Sequence, residues 1–172
     1  MVTSRLIFLS SVRNFIFGAE DSLVSTVGLL AGLSAGGMKN ADIVLAGIVL
    51  IFVEAFSMAV GSFLSEKSID EIQGQKKEDK PLFDGVVMFF SYIICGLVPL
   101  APYLLAPLFT NAPVGFTLTW SILITLVSLF LLGVVSGNIL KTSAMKSAWR
   151  MLIIGGAAAT LGIVVGIVFK IA

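Results

Sequence analysis

The chain has 172 residues, 58% hydrophobic and 12% charged, with a mean hydropathy of +1.07 and a formal net charge of +1. A soluble domain carries about 25% charged residues, and half that share cannot cover a globule of this size, whereas five bilayer spans of about 20 apolar residues each absorb the excess. With no His, one Cys and almost no net charge, the sequence excludes His/Cys zinc sites, haem attachment, disulfide frameworks, His-based catalysis and electrostatic binding of nucleic acid. What remains is an all-α polytopic membrane protein, not an enzyme, with no tightly bound cofactor. Its chemistry is left to carboxylates, Ser/Thr hydroxyls, Met sulfur and backbone carbonyls.

The first span is predicted at residues 14–36. Before it, Arg5 and Leu6-Ile7-Phe8-Leu9 resemble the start of a signal peptide, but Arg13 interrupts the apolar run and Phe17-Gly18-Ala19 lacks a small residue at −3. This segment is expected to be retained and to lie at the membrane interface. Inside the span, Gly28, Gly32 and Gly36 form one helical stripe that lets another backbone approach closely in lipid, and a homodimer through this stripe is expected.

The second span is predicted at 42–64, with Asp42 as a helix N-cap. Residues 65–81 form a short extension and loop, in which Ser65–Ile72 continues the helix with mixed charge. Glu66 and Asp70, spaced i, i+4, belong either to a solvated helix face or to an entrance that collects cations. The third span covers 82–106, with Asp84 in its first turn, Cys95 as an inert thiol, and Pro99 and Pro102 as kinks whose freed carbonyls line a cavity or are met by neighbours. The fourth and fifth spans fall at 115–139 and 148–171, and Gly133/Gly137 and Gly162/Gly166 repeat the glycine spacing.

Lys and Arg set the orientation. Of the 11, nine lie on one side: Arg5 and Arg13, then Lys67, Lys76, Lys77 and Lys80, then Lys141, Lys146 and Arg150. Only Lys39 and Lys170 lie on the other. The N-terminus is therefore expected inside and the C-terminus outside. Trp149 near the inner surface, and Trp120 and Tyr103 near the outer, fit interfacial aromatic belts. An odd number of spans with no visible repeat argues against a pseudo-symmetric pathway within one chain.

Three acids stand at membrane depth: Glu20, Asp21 and Glu54. Each costs at least about 2.5–3.5 kcal/mol there, so a functional reading is the default. At a rise of 1.5 Å per residue, Asp21 and Met58 each lie roughly 10 Å from the inner surface, and Ser25 and Glu54 about 15 Å from it. Two antiparallel helices therefore offer Asp21, Ser25, Glu54 and Met58 in one crevice. Carboxylate with thioether suits a borderline divalent metal such as Fe²⁺ or Mn²⁺ better than Ca²⁺ or Mg²⁺. The alternatives are core packing for Met58, a snorkelling Glu20, and an interhelical hydrogen bond for Asp21 and Glu54.

Asp21 with Leu23, the run Gly28–Gly36, Phe56-Ser57-Met58-Ala59-Val60-Gly61 leading to Phe63-Leu64-Ser65, Leu97-Val98-Pro99-Leu100, and Ser147 through Gly156 together resemble the vacuolar iron transporter family. That resemblance covers essentially the whole chain. It implies five-helix homodimers that export Fe²⁺ or Mn²⁺ from the cytoplasm in exchange for protons, with Asp21 and Met58 matching the family's helix 1 aspartate and helix 2 methionine. Three departures stand out. The family's helix 2 glutamate falls at Leu50 and an acid appears instead at Glu54; Ser22 replaces a glycine; and the acidic domain between helices 2 and 3 shrinks to residues 65–81. The expected function is export of a divalent metal through the membrane, with the short chain suggesting a prokaryotic plasma membrane. The alternatives are a non-selective cation or proton pathway, or a membrane scaffold that transports nothing.

Overall fold

The computed structural model describes residues 2–72, 74, 80–108 and 114–170. Five helices account for nearly all of them: α1 (Val2–Ala35), α2 (Asn40–Ile72), α3 (Lys80–Leu105), α4 (Val114–Ile139) and α5 (Ala144–Val168), with a 3₁₀ turn at Ala106–Leu108. Each contains a stretch long and apolar enough to cross a membrane. Within lipid, a helix is the open-chain solution that satisfies every backbone group internally. The residues before the first predicted span continue α1 without a break. Lys76, Lys77, residue 171 and the side chain of Arg5 lie outside the described residues.

α1 is the central helix: half of its apolar window is buried, against 22% for α2 and α4 and 17% for α5. On one side Leu30 packs with Ile43 and Ile51 of α2 and Leu100 and Tyr103 of α3. On the other, Ile16 and Leu23 pack with Leu129 of α4 and Met151 of α5. Tyr103 was expected in an outer aromatic belt, but it is fully buried in the first of these clusters; Trp120 and Trp149 are exposed as a belt requires. α3 lies between α1 and α2 and packs broadly on both, while α1 and α2 touch little.

The glycine stripe of α1 is occupied within the chain. A Cβ at Gly32 would stand 3.0 Å from the Gly162 carbonyl oxygen, one at Gly162 2.0 Å from that of Gly28, and one at Gly166 2.0 Å from that of Gly32. Gly28, Gly32 and Gly36 thus seat α5 of the same chain, correcting the expectation that they face a second copy. The sequence declares a close approach but does not name the partner. Gly133 and Gly137 do the same for the α4–α5 hairpin, where an added Cβ would stand 2.5 Å from the Cα of Ala148 and of Ala144.

Helix ends are closed locally. α1 stops at Gly37, whose φ of 86° allows Met38 N to bond Leu33 O at 3.0 Å. At the start of α2, Asn40 precedes Asp42, which lies in the first turn instead of at the cap, and Asn40 Nδ2 donates to the Tyr103 carbonyl at 3.0 Å. Ser121 Oγ donates to the Pro99 carbonyl at 2.7 Å, so both bonds fall around the proline-bearing end of α3.

Candidate functional site

Asp21 and Ser25 project from successive turns of α1, and Glu54 projects from α2. All three are half-buried. Ser25 and Glu54, expected at one depth, meet at a residue the sequence reading missed. The Tyr92 hydroxyl of α3 donates to Glu54 Oε2 and lies 2.7 Å from Ser25 Oγ. The Tyr92 carbonyl accepts from Ser22 Oγ at 2.6 Å. The signal was legible in principle: a tyrosine amid Phe89-Phe90-Ser91-Tyr92-Ile93 carries a hydroxyl that must find a partner at membrane depth.

Asp21 is within electrostatic reach of Glu54. Glu20 is half-buried and within electrostatic reach of Asp21 and of Arg150 on α5. Among the described residues, no Lys or Arg forms an ion pair with Asp21 or Glu54.

Met58 occupies a neighbouring feature. It lines a groove of about 580 Å³ with Arg13, Asn14, Ser62, Glu66 and Met88, among others. Neither Asp21 nor Glu54 is part of that lining. Asn14 Nδ2 and Ser62 Oγ are buried there without a hydrogen-bond partner. A groove with idle donors can take up water or a polar solute.

Glu66 is placed differently from a free cation collector. Its side chain is 9% exposed and takes Arg13 Nη2 at 2.8 Å and Lys80 Nζ at 2.9 Å, joining α1, α2 and α3. Lys80 also stands 3.6 Å from Asp84. Asp84, expected to need only a helix dipole, is fully buried and accepts from Ser10 Oγ at 3.0 Å and Ser11 Oγ at 2.6 Å. Asp70 acts on Lys80 through its charge, and its Oδ2 is buried without a hydrogen-bond partner.

Among the described residues, no three His, Cys, Asp or Glu side chains converge to hold a metal ion. Asp21 and Glu54 thus stand without an ion-paired cation among the described residues, near a groove lined by Met58 and Met88. The sequence profile of the VIT family matches residues 12–80 and 69–167. The chain belongs to the VIT family. Vacuolar iron transporter 1 of Arabidopsis thaliana is 24% identical over 208 aligned positions, which cover 86% of this chain and 81% of that protein. Vacuolar iron transporter 2 of Oryza sativa subsp. japonica is 24% identical over 86% of this chain and 82% of its own length; a vacuolar iron transporter of Centaurea cyanus gives 24%, 86% and 83%. The 208 aligned positions exceed the 172 residues here, so these relatives carry residues this VIT chain lacks. The two matched stretches meet at residues 69–80. Membership makes the chain a multi-pass membrane protein of metal-ion transport.

Proposed function

We propose that this VIT chain carries Fe²⁺ or Mn²⁺ out of the cytoplasm in exchange for protons, working as a homodimer with its N-terminus inside and C-terminus outside. One observation supports this reading above the others: Asp21 and Glu54 both stand within helices long and apolar enough to span a membrane, within electrostatic reach of each other, and lack a partner cation among the described residues. Carrying two such carboxylates is costly unless a mobile cation or proton neutralises them in turn. Metal and proton compete for the same oxygens, and exchange follows if both loaded forms can switch access between the two sides. Met58 and Met88 supply soft sulfur on the way, which favours Fe²⁺ or Mn²⁺ over Ca²⁺. Ser25 adds an oxygen beside Glu54.

A single chain offers too few ligands to strip an ion of its water, and a second copy would complete the set. With the glycine stripe filled by α5, the face of α2 bearing Ser57 and Gly61 is the better seat for that copy. Both are exposed beside the groove, and a Cβ at Gly61 would meet nothing within 4 Å. Glu66, in the short 65–81 segment, is already spent on Arg13 and Lys80. In this reading the metal enters without a collecting domain. Outward transport from the cytoplasm is common to a vacuolar membrane and to the prokaryotic plasma membrane that the short chain suggests.

The test is Mn²⁺ and Fe²⁺ flux into liposomes holding the purified protein, with and without an imposed pH gradient. Flux that follows the gradient, and that Glu54→Gln uncouples from it, supports exchange. Flux of Ca²⁺ equal to that of Mn²⁺ would return the reading to a non-selective pathway, and no flux at all would leave a scaffold.

A further inference from the structure

The two carboxylates on which the transport reading depends stand on helices that touch little, because α3 separates α1 from α2. Tyr92 is where the three meet, and it is 0% exposed. One residue of α3 is thereby bonded to Ser22, next to Asp21; to Ser25, one turn beyond Asp21; and to Glu54 itself. Among the described residues, no other side chain hydrogen-bonds to Glu54. A glutamate has three rotatable side-chain bonds, and its carboxylate sweeps a wide arc unless something holds it. The phenol is that holder. It is rigid, buried, and anchored on α1 through both its carbonyl and its hydroxyl.

We propose that Tyr92 is a positioning residue for transport, fixing the spacing between Asp21 and Glu54 and so setting which divalent cation the two carboxylates share. The proposal rests on the transport reading above. Cations differ in how much freedom they demand: Ca²⁺ accepts oxygen at about 2.3–2.6 Å in flexible geometries, while smaller ions require shorter and more regular sets. A pair of carboxylates held at one spacing discriminates between them, and a pair with one loose member does not. Tyr92 leaves the second oxygen of Glu54 free of its own bond, so the tether and an ion can be held together.

The experiment compares Tyr92→Phe with wild type in liposome flux of Mn²⁺ and Ca²⁺, with Mn²⁺ binding to the purified protein measured by calorimetry. Tyr92→Phe keeps the ring and deletes the tether. The expected result is a rise of about tenfold in KM for Mn²⁺, the size of one lost hydrogen bond to a charged group, with a reduced Mn²⁺ preference and little change in maximal rate. Ser25→Ala, which removes the anchor together with the oxygen beside Glu54 but leaves the phenol's bond to Glu54, moves both quantities the same way by less. Tyr103→Phe deletes an equally buried hydroxyl of α3 that has no carboxylate partner, and it leaves both unchanged. Wild-type KM and preference in Tyr92→Phe overturn the proposal, as does an equal loss in Tyr103→Phe. If Tyr92→Phe does not fold, an unchanged Ser25→Ala overturns it. A wild-type protein that neither binds nor moves Mn²⁺ removes the transport reading itself, a result visible before any variant is compared.

Discussion

Two clusters in this molecule are built from the same parts and are opposite in charge balance. At the Arg- and Lys-bearing end, Glu66 and Asp84 are buried with Arg13, Lys80 and two serine hydroxyls. Deeper in the bundle, Asp21 and Glu54 have hydroxyls from Ser25 and Tyr92 around Glu54 but no cation for either acid. Burying a carboxylate without a cation is the more expensive arrangement. The first cluster is complete and ties three helices together. The second has no ion-paired cation among the described residues, and under the proposed exchange a mobile ion or proton would complete it.

The largest effect that sharpens this contrast comes from Asp21→Asn. It should bring liposome flux of every divalent ion to background while raising the melting temperature, because an unpaired charge is removed from the bundle. Active transport in that variant would break the comparison. Lys80→Met should do the reverse, lowering stability by about 3 kcal/mol as Asp84 loses its ion pair and Glu66 keeps only the exposed Arg13, with flux per folded molecule retained. Thermal unfolding and flux on one preparation check both. Met58→Ala should spare Ca²⁺ flux and cut Mn²⁺ flux several-fold, since it deletes only the soft ligand. Arg13→Ala is the mildest. Its side chain is 66% exposed and Glu66 keeps Lys80, so a loss below about 1 kcal/mol is expected in the same unfolding measurement.

The spans were legible because length and hydropathy alone decide what can cross lipid, and the meeting of Ser25 and Glu54 at one level followed from helical rise. What the sequence withheld was partnership. The stripe of Gly28, Gly32 and Gly36 announced a close contact, yet nothing in its spacing distinguishes α5 of the same chain from a second molecule. Glu66 looked like a solvated acid because its partners, Arg13 and Lys80, are 53 and 14 positions away. Asp84 looked satisfied by a helix terminus because the segment carrying Ser10 and Ser11 was placed outside the bundle. Tyr92 was passed over as an aromatic among aromatics, although its hydroxyl is the one polar group of that run able to reach both α1 and α2.

The glycine contact between α1 and α5 also has a mechanical consequence. Two backbones that touch through carbonyl oxygens and Cα atoms leave no side-chain layer to slide or repack, so α1 and α5 form one stiff beam. α2 is fixed to that beam mainly through α3 and shares little surface with α1.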